Sequence, residues 1–272
     1  MVYYNCKVIV IKLLKECFIM IEKKDILADL HIHTIGSEHA YSTLYECIRC
    51  AADAGLKYIA ITDHYYNDGT KLHKINEINR FIYLEKEAAR AQNKVHVLGG
   101  AEFNIGQNIE SWEKLKELSW KMIGVHGMLL NVKEFSYDDI YRFYEQRADD
   151  MDCFSHIERN VGKIGGYNET ELTDDIRNYL CSLVTLAKEK NVVLEVNEST
   201  LFADEPGDFE RMNYWLNYAK SNGNLISLGS DSHYCETIGR FEKALDLLNA
   251  IDFPKDRIVN CNPDLLKQFS DL

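Results

Sequence analysis

The residues best suited to chemistry in this sequence are nine histidines, at positions 31, 33, 39, 64, 73, 96, 126, 156 and 233. His31 and His33 form an H-x-H pair, and Asp231 and His233 repeat that spacing late in the chain. Alternate side chains of a strand share a face, so both imidazoles of an H-x-H pair can bind one ion. His33, His64, His126, His156 and His233 fall at or just past the C-terminal end of a stretch with strand character, and His31 lies two residues inside one. Glu102 ends another such stretch, in Gly99-Gly-Ala-Glu-Phe-Asn104, where small neighbours leave room for an inward carboxylate. Packing gives no reason to repeat polar groups at strand ends, because burying them unpaired is costly. The recurrence therefore points to a metal centre. Imidazole nitrogens and carboxylate oxygens without thiolates suit Zn²⁺, Mn²⁺ or Fe²⁺ and do not choose among them. His73, in a helical stretch, and His96, mid-strand, are read as structural.

Such residues, far apart in sequence, need a frame that gathers them. From Asp25 onward, β-type runs alternate with stretches of helical period. The expected strands are Ile26–His33, Lys57–Asp63, Val95–Glu102, Lys121–His126, Met151–His156, Asn191–Asn197 and Leu225–Asp231, with a short eighth at Arg257–Val259. Leu44, Ile48, Ala51 and Gly55 mark one helix, Ile176, Leu180, Leu183 and Ala187 a second, and Phe241, Ala244, Leu245 and Leu248 a third. Ser42 suits the first helix as N-cap and Gly55 as its C-terminal stop. Alternating strands and helices imply a mainly parallel sheet, and seven or more strands favour closure into a barrel, whose active site is built at the C-terminal strand ends. The expected organisation is one α/β domain over residues 25–272, preceded by an extension over residues 1–24 that could form a short helix. No internal repeat or proline-rich linker marks a second domain, and residues 1–19 are expected to be dispensable.

Composition narrows the function. With 31 basic and 43 acidic side chains the net charge is −12, which argues against a nucleic-acid-binding module, whose footprint is basic. Phosphate chemistry on such a chain needs local positive charge, as metal ions provide. The eight cysteines are too sparse for a disulfide scaffold and read as reduced thiols in a cytoplasm. Lys7, Lys12, Lys15 and Glu16 interrupt the apolar N-terminal runs, so neither a signal peptide nor a membrane span is expected. Cys47-Ile-Arg-Cys50 has C-x-x-C spacing but lies midway along a helix, with no second pair for zinc, and is assigned no function. No Gly-x-Ser-x-Gly, P-loop or Gly-x-Gly-x-x-Gly is present.

Leu30-His-Ile-His-Thr34, Ile61-Thr-Asp-His64, Gly-Ala-Glu102, Val-His126-Gly, Ser-His156 and Gly-Ser-Asp231-Ser-His233 resemble, in order, the motifs of the PHP (polymerase and histidinol phosphatase) family. Glu38-His-Ala-Tyr-Ser-Thr43 and Leu194-Glu-Val-Asn197 make the likeness strongest to the bacterial YcdX-like PHP phosphatases. The resemblance implies a distorted (β/α)7 TIM-like barrel whose trinuclear metal centre, usually zinc, hydrolyses phosphate esters. By motif, His31, His33, Glu102 and Asp231 would hold one ion, Glu102, His126 and His156 a second, and His39, His64 and His233 a third. Only the resemblance singles out His39. Where the family continues Ser-His-Pro, this chain reads Ser-His-Ile157-Glu158-Arg159.

Ions about 3.5–4 Å apart clamp a phosphoryl group and lower the pKa of a shared water toward about 7, supplying hydroxide for in-line attack. Asp63, next to a ligand, is expected to orient an imidazole N–H, and Arg159 to reach a phosphate oxygen with its fork. Tyr41, Tyr65, Tyr66 and Asn104 adjoin ligand positions and are candidates for shaping the substrate pocket. The leading expectation is a metal-dependent phosphatase of small phosphomonoesters, with a histidinol-phosphatase-type enzyme as its nearest variant. An amidohydrolase-type hydrolase would share the first-strand H-x-H and a late Asp but commonly needs a lysine after the fourth strand, where this chain has Val125-His126. A nuclease or scaffold module of the kind attached to DNA polymerases is the third alternative, and the chain carries no polymerase region.

Overall fold

The computed structural model describes residues 20–65, 78–106, 112–126, 131–203 and 205–268. Seven parallel strands pair in chain order: β1 Ala28–Ile32, β2 Tyr58–Ile61, β3 His96–Asn104, β4 Trp120–Gly124, β5 Cys153–Phe154, β6 Val193–Asn197 and β7 Ile226–Gly229. Each falls where an apolar run predicted it, with ends displaced by a few residues. Around them lie helices α1 Leu44–Asp53, α2 Ile78–Arg90, α3 Tyr137–Arg147, α4 Asp174–Lys190, α5 Glu198–Ala203, α6 Asp208–Asn222, α7 Glu242–Ala250 and α8 Pro263–Leu266. The chain is a nearly closed, TIM-like α/β barrel. Among the described residues no helix is long and apolar enough to cross a membrane.

Two apolar layers hold the barrel. Ala28, Leu30, Ala60, Leu98, Trp120 and Met122 belong to an inner cluster, while Ile59, Ile61, Val97, Phe103 and Ile123 belong to the layer between strands and helices. Alternation along β3 puts Gly100, Glu102 and Asn104 on the face of Leu98, so the strand carries its carboxylate inward. β1 breaks the simple alternation. Its register with β2 shifts between Asp29 and Ile32, and Leu30 lies in the inner cluster while Ile32 lies in the outer one. That irregularity brings His31 to the inside directly above Leu30.

The seam between β7 and β1 is closed at each end by a small set of hydrogen bonds. At the C-terminal end Asp231 N donates to His31 O and His33 N to Ser232 O, both at 2.9 Å. At the other end the Asn260 amide donates to Ala28 O and Leu228 O, each at 2.9 Å, and accepts from Leu228 N at 2.6 Å. The eighth strand expected at Arg257–Val259 is absent: residues there form short 3-10 turns with one bridge between Ile226 and Ile258. A side-chain amide has the donor and acceptor of a peptide group, so Asn260 meets the edge groups that an eighth strand would otherwise have paired.

The expected N-cap also moves by one residue. Thr43 caps α1, and its backbone N–H donates back to Glu46 in a capping box. Ser42 instead accepts from Cys235 N at 2.9 Å, tying the loop after β7 to the start of the helix. Gly55 does end the helix, at φ +83°. His73 and Tyr66 lie outside the described residues.

Asn260→Ala would orphan three buried backbone groups and should cost about 2–4 kcal/mol. Thermal melting checks this, with a Tm expected about 5–10 °C lower for a chain of this size; a drop under about 2 °C would remove Asn260 from the seam's support.

Candidate metal centre

The nine residues expected as ligands converge at the C-terminal ends of the strands. Glu102 is the hub. Its Oε1 lies 2.9 Å from His156 Nε2 and 3.2 Å from His126 Nε2, and its Oε2 lies 3.1 Å from His64 Nδ1, 3.2 Å from His31 Nε2 and 3.5 Å from His33 Nε2. Asp231 Oδ1 sits 3.2 Å from His33 Nε2 and 3.6 Å from both His31 Nε2 and His233 Nδ1. His39 completes the outer edge, with Nε2 2.8 Å from His233 Nε2.

These side chains fit divalent ions. His31 and His33 point their Nε2 atoms at each other across 3.0 Å, a contact between lone pairs unless a proton or a cation lies between them. Glu102 Oε2 and His126 Nε2 are buried without a hydrogen bond of acceptable geometry, although basic or acidic neighbours are close. Three groups have ligand atoms all within 4.8 Å of one another: His33, His64 and His233; His31, His33 and Glu102; His64, Glu102 and His126. His33 and His64 thus each belong to two groups, a wider sharing than the family's partition of ligands implies.

Electrostatics follows from burying so many titratable groups together. Burial alone would raise the pKa of Glu102, but the His126 and His31 imidazoles outweigh it and hold the carboxyl well below its usual range. Asp231 behaves alike, burial being outweighed by His31, His33 and Arg159. Burial and the neighbouring His33 hold His64 well below the usual imidazole value and bring His233 down to about 4. Both rings are therefore neutral at pH 7, with lone pairs free to act as ligands. His31 goes the other way: burial opposes its charge, yet Glu195, Glu102 and Asp231 raise it well above the usual value. A position that carboxylates make so favourable for a proton is equally favourable for a metal cation.

A surrounding shell fixes the rings. Glu195, fully buried on β6, has Oε1 2.5 Å from His31 Nδ1, while its Oε2 accepts from His156 N at 3.0 Å and from Asn197 Nδ2 at 3.2 Å. This carboxylate fixes the tautomer that turns His31 Nε2 to the centre. Sequence reasoning did not assign it a role; a lone acid within the apolar run Val192–Val196 was the available signal. Gly229 is small because a Cβ there would collide with Glu195 Oε1 and His31 Cβ. His156 and Asp231 have φ of +30° and +52°, a strained region for side-chain-bearing residues that clusters at functional sites.

Asp63 is fully buried and, among the described residues, bonds no imidazole directly. Its Oδ1 accepts from Ser37 Oγ at 2.7 Å, and Ser37 Oγ lies 2.9 Å from His33 Nδ1, so it orients His33 through a hydroxyl. Asp63 Oδ1 and Oδ2 also accept from Thr34 N and Oγ1 at 2.6 Å. Arg159 reaches the centre, with Nη1 3.3 Å from Asp231 Oδ2 and its side chain 27% exposed. Asn104 holds the His126 backbone, its Oδ1 accepting from His126 N at 2.8 Å. Tyr65 is buried with its ring against Phe103, whereas Tyr41 is exposed. Glu158 turns away from the ligands: Trp215 Nε1 donates to it at 3.0 Å, and burial together with Asp208 pushes it up to about 8. His96 begins β3 at the opposite end of the barrel, its ring edge-on to Tyr58. Burial pushes the Cys47 thiol up to about 12 and, with Cys235, the Cys50 thiol to about 11, which disfavours the thiolate form of both.

A parallel barrel that gathers imidazoles and carboxylates at its C-terminal strand ends defines a metal-dependent barrel hydrolase. A family model described as the PHP domain matches residues 29–199. The chain is 29% identical over 248 residues to a probable phosphatase of Shewanella loihica, and 30% identical over 247 residues to the probable phosphatase YcdX of Shigella flexneri. Each alignment spans 89% of this chain and 92% of the relative. The structure of a histidinol phosphate phosphatase from Lactococcus lactis, complexed with zinc, L-histidinol and phosphate, is similar in fold. It has a TM-score of 0.58 and 19% identity, and the match covers 83% of this chain and 92% of that one. The chain belongs to the PHP domain family.

Glu195→Gln should weaken zinc binding by about 10–100-fold, as loss of a ligand's carboxylate partner typically does. Competition with a chromophoric chelator measures it, with His96→Ala as the unaffected control. Zinc affinity within twofold of the wild type in Glu195→Gln would show that the carboxylate does not support the centre.

Proposed function

We propose that this protein is a metal-dependent phosphatase of small phosphomonoesters. The observation that carries the reading is the convergence of His31, His33, His39, His64, Glu102, His126, His156, Asp231 and His233 on one point, with the Arg159 guanidinium beside them. Three divalent ions are proposed, zinc first because the similar Lactococcus structure contains it; Mn²⁺ and Fe²⁺ satisfy the same donors. Such ions lower the pKa of bound water and neutralise phosphoryl charge.

The chain's own residues do the rest. Glu102 and Asp231, ionised because imidazoles surround them, hold the cations; the neutral rings of His64 and His233 present lone pairs. Glu195 and the Ser37–Asp63 pair keep His31 and His33 turned inward. Arg159 spends one N–H on Asp231 and retains donors for a phosphate oxygen. In the overall reaction the water oxygen bonds to phosphorus as the ester P–O bond breaks, and the alcohol leaves with a proton. The barrel over residues 25–272 is proposed as the functional unit. The six described cysteines form no disulfide, which supports the reading of a cytoplasmic protein.

Elemental analysis of protein purified without chelator should approach three ions per chain, and a stable value of one would sink the trinuclear assignment. His33→Ala or Glu102→Ala should abolish hydrolysis of p-nitrophenyl phosphate. A monoester brings about two charges and three terminal oxygens to the ions, and an internal diester one charge. Activity on bis-p-nitrophenyl phosphate should therefore be far lower; faster cleavage of single-stranded DNA than of any monoester would favour a nuclease.

A chain starting at Met20 should keep the activity and melting of the full chain. Large losses in both would show that residues 1–19 support the barrel.

A further inference from the structure

Beside the metal centre lies a cavity of about 470 Å³, within the size range of small-molecule sites, lined by Arg159, Lys163, Asn168, Thr200, Glu205 and Arg211 among others. It shares a wall with the centre. Arg159 lines it while its Nη1 lies 3.3 Å from Asp231 Oδ2. Thr200 lines it too, and its Oγ1 donates to Asn197 Oδ1 at 3.1 Å, while Asn197 Nδ2 reaches Asp231 Oδ2 at 3.4 Å. A phosphate held by the ions and Arg159 would thus have its organic substituent at the mouth of this cavity.

The far wall is built rather than incidental. Arg211 is 3% exposed, and its Nη1 donates to Asp208 at 2.9 Å and its Nη2 to Glu169 O at 2.5 Å. Its Nε is buried without a hydrogen-bond partner. Among the described lining residues the only apolar ones are Gly162, Ala203 and Pro206, and none is aromatic. Within the described residues no hydrogen bond engages the side chains of Lys163, Asn168, Glu169, Thr170 or Glu205, so ammonium, amide, hydroxyl and carboxylate groups are all free for a ligand.

Charge then narrows the class. Arg211 is offset by Asp208, and Arg159 faces Asp231 and the phosphate position. Lys163 against Glu169 and Glu205 leaves the remaining lining net negative, unfavourable for a second anionic group. A body rich in hydroxyls uses both donors and acceptors, whereas an aromatic body would leave them unpaired.

We infer that this cavity is the leaving-group site of the phosphatase and takes an uncharged polyhydroxylated body, so that the substrates are polyol or sugar monophosphates. The assignment rests on the phosphatase reading. Its test compares glucose 6-phosphate with phenyl phosphate on the metal-loaded full chain and on Ala203→Trp, which places an indole in the cavity from an exposed position on α5. The ratio of kcat/KM for glucose 6-phosphate over phenyl phosphate should fall at least tenfold, through KM, with metal content unchanged. A ratio that stays within threefold overturns the site. Should the tryptophan disturb folding, Asn168→Ala combined with Thr170→Ala, both exposed, removes hydrogen-bonding groups without added bulk, and the same ratio should fall about fivefold. For the wild type a sugar bisphosphate should have a KM at least tenfold above that of glucose 6-phosphate; the reverse order overturns the charge argument. If the wild type hydrolyses no monoester, the phosphatase reading fails by itself and calorimetry still decides the cavity. Glucose 6-phosphate binding that Ala203→Trp weakens at least tenfold sustains the site, and no binding or equal affinities overturn it.

Discussion

The Glu102 carboxylate is the point on which the rest of the structure turns. Both oxygens are buried, and five imidazoles from four other strand ends stand within 3.5 Å of them. Burying an ionised acid is costly, and the cost is offset only if positive charge, on an imidazole or on a cation, lies beside it. The geometry of the strand ends is consequently a demand for positive charge, and the surrounding shell maintains that demand. Glu195 and the Ser37–Asp63 pair deny the rings the rotations by which they could relax away.

Holding that cluster requires the ring of strands to close where the chain has run out of them. His31 lies on the first strand with His33 just past it, and Asp231 and His233 follow the last, so the two halves of the cluster face each other across the seam. Backbone pairing at Asp231 and Ser232 fixes the upper end of that seam, and the Asn260 amide fixes the lower end. Asp29 adds a third tie, its carboxylate accepting from Ser230 N at 3.0 Å and Gly239 N at 2.9 Å. The precision of the metal site and the stability of the barrel closure are therefore one problem.

The convergence of the histidines and acids was legible in the sequence because a parallel barrel converts recurrence at strand ends into convergence in space. His39 was not, since loop position carries no such rule, and only the family likeness pointed to it. The supporting residues were harder still: Ser37 acts from a short turn, and Glu195 was hidden in a strand whose apolar neighbours set its reading. Strand ends were over-read where an apolar run continues beyond pairing, as at β5, whose paired residues are only Cys153 and Phe154 within the expected Met151–His156. α6 left a faint pattern because its buried face includes Asp208 and Arg211, whose mutual ion pair lets polar residues sit where periodicity expects apolar ones. The missing eighth strand has the same origin, a side chain satisfying backbone groups in place of a strand.

Asp231 joins these threads in one residue. Its Oδ1 faces the histidines and its Oδ2 faces Arg159 and Asn197, so a single carboxylate divides its oxygens between the ligand cluster and the wall of the neighbouring cavity. Its left-handed backbone conformation, at φ +52°, is kept by the hydrogen bond from its N–H to His31 O across the seam. Movement of Arg159 or Asn197 would act on the same carboxylate whose other oxygen faces the histidines. In a chain of net charge −12, one carboxylate thus connects the cluster of imidazoles to the Arg159 guanidinium at the cavity wall.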